Sequence, residues 1–308
     1  MKYKIPISVI MPCYNCEKYV SEAIESILGQ SFADFEFIII NDGSTDDSEH
    51  IIKKYTDCRI RYIPLLKNKG NYYARNVGMR LSMGKYIAVM DADDIAYRER
   101  LSIQFSYLEK HQKIGCIGSN GEWINEQGMI LGHLAKPIIP YPRLATFLLV
   151  DNFILHPSLM LKVSMLKKHN LYYNESYKYA ADFDFVCRCA CYFPVLNIDH
   201  ALLRYRTHAK QISSRKKDEQ LKFANQIRLA QLKRFKVNLT LKEKNLYLDI
   251  LKETSNTISS IDDDILLLNK LLDSNDKLKI YSQRYLHDLF RFLLISRNAR
   301  TNKNQLQL

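Results

Sequence analysis

The sequence lacks any apolar run of the roughly 18 residues that a membrane-spanning helix requires, so no spanning segment is expected. It also lacks a secretory leader pattern. Met1–Met11 (MKYKIPISVIM) is apolar only briefly, contains a proline and runs straight into PCYN rather than a small-residue cleavage site. The expectation is a cytoplasmic protein, with peripheral contact at the inner face of the cell membrane left open. Internal repeats and low-complexity linkers are missing too, which argues against a disordered or collagen-like chain. The seven cysteines are odd in number and do not form a disulfide framework. Cys13 and Cys16 make a C-x-x-C, but no second Cys or His pair follows at zinc-like spacing. Cys187, Cys189 and Cys191 fan around a predicted helix, and all seven are expected to be bystander thiols.

What is present is a globular composition, 47% hydrophobic and 25% charged, which can supply a real core. The net charge of +12 is unevenly spread: from Ala209 onward there are 20 Lys/Arg against 11 Asp/Glu. A basic tail of this kind suits an anionic partner.

The first ~115 residues alternate strand and helix signals. Ile5–Met11, Phe35–Ile40, Arg59–Leu65 and Lys85–Met90 are short apolar runs, as buried parallel strands should be. Between them, Val20, Ala23, Ile24, Ile27 and Leu28 share one helical face. Ser44–Tyr55 opens with capping residues, and Asn71–Met83 reads as a helix closed by Gly84. The pattern predicts an α/β fold with a mostly parallel, doubly wound sheet flanked by helices. Further on, Cys116–Ser119, Ser158–Lys162 and Leu202–Arg206 read as strands, and Glu122–Leu131 as a hairpin turning at Gly128. Asp182 to about Cys191 reads as a helix, and from Arg215 the chain is almost wholly helical. The expected division is a catalytic domain over 1–212 and a basic helical extension over 213–308.

In open α/β sheets, ligands bind beyond the carboxyl ends of the strands. Those ends carry Pro12-Cys13-Tyr14-Asn15, Asn41-Asp42-Gly43-Ser44, Asn68-Lys69-Gly70 and Asp91-Ala92-Asp93-Asp94. Polar or acidic groups at four successive tips predict one convergent site. Asp91 and Asp93, two apart at a strand end, lie on the same side. Crowded carboxylates repel unless a cation lies between them, and a hard ion such as Mn²⁺ or Mg²⁺ takes oxygen ligands while keeping places for substrate phosphates.

The segments PCYNCEKYVSEAIESILGQSFADFEFIIINDGSTD and KNKGNYYARNVGMRLSMGKYIAVMDADD resemble the family 2 glycosyltransferases, which have the GT-A fold. The likeness resumes at His156-Pro157-Ser158, at Ala181-Asp182-Phe183-Asp184-Phe185 and at Tyr205-Arg206-Thr207-His208. It implies an inverting transfer of a sugar from a nucleotide-diphosphate donor, usually a UDP-sugar, to an acceptor hydroxyl. The setting implied is bacterial surface polysaccharide or lipopolysaccharide synthesis, with a glycan or lipid-linked glycan as acceptor. By the same resemblance Pro12, Tyr14, Asn15, Asn68 and Ala92 would line the donor site and Asp42 would bond the base. Arg75 would hold base or ribose, Asp91 would face the ribose, and Asp93 would ligate the metal.

The acceptor hydroxyl must lose its proton as it attacks, which calls for a general base. Asp182 aligns with the residue that supplies it in the family, with Asp184 in reserve; Ala181 stands where an acidic residue is usual. His208 is a candidate metal or diphosphate contact, or a structural histidine. His156 resembles a residue near the acceptor, or is a strand-edge histidine set by Pro157. Trp123, the only tryptophan, could stack on a sugar or join the core. In the tail, Tyr285, Leu286, Leu289, Phe290, Leu293 and Leu294 form an apolar stripe that would either lie on an anionic membrane or pack on the catalytic domain. Two other readings are a sugar-nucleotidyltransferase, which would want a Gly-rich loop after the first strand, and a catalytically weak nucleotide-sugar binding protein. Nucleic acid is not expected as a partner.

Overall fold

The structure, a computed structural model, describes residues 3–209, 211, 215–252 and 260–305, with side chains as far as Ala299. It divides into two compact units, Met1–Ile139 with Phe153–Gln220, and Pro140–Asn152 with Leu221–Leu308. The expected boundary at 212/213 lies outside the described residues. The segment Pro140–Asn152, which nothing in the sequence singles out, belongs with the C-terminal helices.

The first unit is built on β1 (Ile5–Cys13), β2 (Phe35–Asn41), β3 (Ile60–Pro64), β4 (Gly84–Val89), β5 (Ile95–Ala96), β6 (Cys116–Ile124), β7 (Ile130–Leu134), β8 (Met160–Lys162) and β9 (Val195–Arg206). They form one sheet in the order β3-β2-β1-β4-β8-β6-β9-β5, with β7 paired to β6. The β3, β2, β1 and β4 neighbours are parallel. Beyond β4 the sheet becomes mixed: β8 is antiparallel to β4 and β6, β9 is parallel to β6, and β5 is antiparallel to β9. The helices of this half are α1 (Val20–Leu28), α2 (Ser48–Lys53), α3 (Asn71–Leu81) and α4 (Arg100–Lys110). Every residue of β2 is buried, as a strand covered on both faces should be.

Three expectations are corrected. Gly84 does not cap the third helix; α3 ends at Leu81, and Gly84 opens β4 opposite Ile5. A Cβ there would fall 2.5 Å from the Ser8 nitrogen, so close strand approach explains the glycine. The runs at Cys116–Ser119 and Glu122 are one strand, β6, which turns at Asn125–Met129 into β7. Cys13 and Cys16 are not free thiols but a disulfide across the tip of β1; the short span of a C-x-x-C at a turn brings the two sulfurs together. Cys116, Cys187 and Cys189 are buried thiols outside any disulfide, while Cys58 and Cys191 are exposed thiols.

In the second unit, α5 (Arg143–Phe147) accompanies the helices after residue 220, and the core gathers around Phe235, Tyr247, Leu267 and Leu271. Leu286, Leu289, Phe290 and Leu293 of the apolar stripe are buried in that core. The stripe therefore packs against helices of its own unit and is not a free membrane face. Among the described residues no helix is long and apolar enough to cross a membrane.

Candidate active site

The tips of β1 and β2 are laced together. The Asn15 N–H donates to Ser44 Oγ at 3.0 Å, and Asn15 Oδ1 accepts the Thr45 N–H at 2.8 Å. Asn15 takes φ of 49°, a left-handed turn that asparagine tolerates. Tyr14 stands beside it, 49% exposed, while Pro12 is buried within β1. Gly43 is required at the next tip: its φ is +69°, and a Cβ would meet the Lys67 carbonyl carbon at 2.6 Å. This close approach lets buried Asp42 accept the N–H groups of Lys69 and Gly70, at 2.9 and 2.8 Å, which fixes the loop holding exposed Asn68. Both Asp42 oxygens are thus engaged by backbone, where a base contact was expected. Burial raises its carboxyl above the ordinary range against those two bonds.

The tip of β4 brings oxygens of Asp91, Asp93 and Asp94 within 4.8 Å of one another. Asp91 and Asp93 are half-buried, and Ala92 is tucked between them. Asp94 is 1% exposed, and its Oδ2 has no hydrogen-bond partner. Burial, reinforced by Asp93 and Asp91, holds the Asp94 carboxyl well above the usual carboxylate range. This repulsion is what a cation would relieve, and the donor set of hard oxygens fits Mn²⁺ or Mg²⁺. His208, just past β9, places Nε2 3.0 Å from Asp93 Oδ2. It therefore lies against the acidic tip.

Helix α3 presents Tyr72 and Arg75 one turn apart, and each engages an acidic residue. Arg75, 1% exposed, forms an ion pair with Asp91. Its guanidinium lies against that carboxylate instead of opening toward a base or ribose. Tyr72 donates its phenol hydrogen to Asp182 Oδ1 at 3.0 Å. Asp182 lies in the first turn of α7 (Ala181–Ala190), so it and Asp91 are tied to positions three residues apart on one helix. Burial raises the Asp182 carboxyl, and the Tyr72 bond opposes that rise. Asp184, the reserve base, is paired with Arg188 at 2.7 Å.

His156 is only 9% exposed, and its Nε2 is 2.8 Å from the Tyr173 hydroxyl. Burial and the nearby Arg75 push its pKa well below the usual imidazole value, so it stays neutral. Trp123 is 38% exposed and packs edge-on against Tyr205.

Sequence reasoning passed over two residues. Arg206, fully buried, sits behind the acidic tip: its Nε donates to the Asp93 carbonyl, its Nη1 to the Glu126 carbonyl, and its Nη2 pairs with Glu22. Its place between Tyr205 and His208 was the available signal. Tyr72 could have been found from its spacing, since positions 72, 75 and 76 share one face of a helix.

The glycosyl transferase family 2 pattern matches residues 8–169, more than half of the chain. An uncharacterized glycosyltransferase from Haemophilus influenzae is 35% identical over 234 residues, covering 72% of each chain. The chain belongs to glycosyl transferase family 2. A second relative, the uncharacterized glycosyltransferase MJ1057 of Methanocaldococcus jannaschii, is 38% identical over 205 residues, covering 65% of this chain and 70% of that one. Among solved structures, TarS residues 1–349 of S. aureus in complex with UDP-GlcNAc superposes with a TM-score of 0.64 at 20% identity, covering 98% of this chain and 92% of that one. That likeness gives the fold: this glycosyltransferase has the GT-A architecture, and a helical C-terminal region follows its mixed, mostly parallel sheet. Membership as a glycosyltransferase sets aside the nucleotidyltransferase reading.

Proposed function

We propose that the protein transfers a sugar from a UDP-sugar, with inversion, to a hydroxyl of a glycan or lipid-linked glycan in surface polysaccharide synthesis. The observation that carries this reading is the pairing of Asp91 with Arg75 and of Asp182 with Tyr72 on one turn of α3, which sets a carboxylate base beside an acidic metal-type cluster. The UDP-GlcNAc complex of TarS supports the donor, and the GDP-Man and Mn²⁺ complex of the mannosyltransferase PcManGT from Pyrobaculum calidifontis supports the cofactor.

In this reading Tyr14 and Asn15 receive the nucleotide, beside the loop that Asp42 fixes. Asp91, Asp93 and Asp94 with His208 would hold Mn²⁺ or Mg²⁺, which would supply Lewis-acid stabilisation of the departing diphosphate. Asp182 takes the acceptor hydroxyl proton as the oxygen attacks the anomeric carbon. The bond to the diphosphate oxygen breaks, and its electron pair leaves with the nucleoside diphosphate. A single displacement of this kind inverts the anomeric centre.

The test is to screen purified protein against nucleotide-sugars with Mn²⁺ or Mg²⁺ and to follow nucleoside diphosphate release. Chelator-sensitive turnover is expected, with Asp93→Ala and Asp182→Asn each nearly inactive. Full activity in both variants would remove this assignment.

A further inference from the structure

Tyr72 is not one of the strand-tip groups, yet its hydroxyl reaches the carboxylate assigned here as the base. Its ring is held by aromatic stacking. It stacks on Tyr173 with centroids 5.5 Å apart, and Tyr173 in turn stacks on Phe185 of α7 at 4.3 Å. The Tyr173 hydroxyl is itself fixed by neutral His156 at 2.8 Å, and its main-chain N–H donates to Asn76 Oδ1 of α3 at 2.9 Å. The Tyr72 phenol therefore has a rigid support that reaches from α3 to α7. A carboxylate near the start of a helix can rotate about χ1 and χ2, and a fixed side-chain donor on one of its oxygens restricts that rotation.

We propose that Tyr72 is the positioning residue for the Asp182 base: its hydroxyl, fixed by the Tyr173–His156 pair, holds Oδ1 and sets the orientation of the carboxylate. This inference rests on the reading of Asp182 as base. Tyr72 does not act as a proton relay, because burial and the Asp182 charge raise its pKa well above the usual phenol value. It remains a neutral donor throughout the working range. Among the described residues, the charged and titratable groups facing Asp182 include Tyr72 and Arg75 of α3, Asp91 at the β4 tip and Tyr173, and the main-chain N–H groups of Asp182 and Phe183 also bond its carboxylate. Among them Tyr72 is the one that donates a side-chain hydrogen bond to the carboxylate. Losing that bond favours the protonated acid, so the apparent pKa of Asp182 rises.

The test compares wild type, Tyr72→Phe, Asp182→Asn and the double variant, using UDP-glucose and UDP-GlcNAc with Mn²⁺. Phenylalanine keeps the stack on Tyr173 and removes only the hydroxyl. Expected for Tyr72→Phe are a kcat lower by about 10- to 100-fold, an unchanged donor KM and unchanged UDP affinity. The acid limb of the kcat–pH profile should move to higher pH, and the double variant should match Asp182→Asn alone. A carboxyl ¹³C titration of metal-free protein should show the Asp182 resonance, identified by its loss in Asp182→Asn, titrating higher in Tyr72→Phe. Wild-type kcat with an unmoved Asp182 titration would overturn the proposal while leaving the base intact. An equal loss of UDP affinity would also overturn it, by showing that α3 itself had shifted. A wild-type rate in Asp182→Asn would instead overturn the base assignment, and the proposal with it.

Discussion

Arg206 donates its main-chain N–H to Asp94 Oδ1 at 2.9 Å and its Nε to the Asp93 carbonyl at 2.7 Å, so β9 holds the acidic tip of β4 from behind. No other described side chain joins both of these residues to the Asn125–Glu126 turn and to α1. Arg206→Met removes the guanidinium from three buried carbonyls and from Glu22. A loss of about 3 kcal/mol is expected, read as a lower urea midpoint. Mn²⁺ affinity, measured by titration, should fall by about tenfold or more, because the Asp93–Asp94 backbone loses its support.

Asp94→Asn tests the repulsion in the acidic tip. The folded protein holds the Asp94 proton to higher pH than the unfolded chain does. Stability therefore falls as pH rises from the ordinary carboxylate range through the raised folded value, and the penalty is complete above it. Asparagine keeps an oxygen for the Arg206 N–H and removes the charge. With chelator present at pH 7 the variant should melt a few degrees higher than wild type. That gain should shrink toward pH 4, and the melting increase caused by added Mn²⁺ should be smaller in the variant.

Asp182→Asn should lower kcat by at least about 100-fold with UDP affinity unchanged, as measured by calorimetric titration. The base works as the carboxylate, and burial raises its pKa. Wild-type activity is therefore lost as pH falls through a value above the ordinary carboxylate range, in a kcat–pH profile. A profile flat down to pH 4 would contradict Asp182 as base.

Gly43→Ala forces a Cβ against the Lys67–Asn68 backbone at a residue with φ of +69°. A cost of about 1–3 kcal/mol is expected, visible in thermal melting. The Asp42 bonds to Lys69 and Gly70 hold the neighbouring loop, so donor KM should rise more than kcat falls.

The parallel half of the sheet was legible because β1, β2 and β4 are continuous apolar runs, each ending in polar tips. Parallel pairing buries both faces, and that leaves a direct mark in composition. The mixed half was harder to read. β8 has three residues and β5 has two, too few to show a period. The acidic tip and His208 come together through the pairing of β5 with β9. Asp42 and Arg75, expected to meet the nucleotide, are engaged by protein groups. Motif position says which residues lie near a site, whereas which atoms remain open depends on loop approach. Gly43 against Lys67 decides that for Asp42, and the burial of α3 decides it for Arg75. The Cys13–Cys16 bond was likewise invisible, since C-x-x-C spacing is shared by thiols, metal ligands and disulfides.

Asp93 and His208 are 115 positions apart in sequence and 3.0 Å apart in space. A ribosome releases the tips of β1, β2 and β4 well before β9, so the acidic tip of β4 gains its histidine only after β9 has docked beside β6. The Asp93–His208 contact therefore reports a completed sheet rather than a local turn.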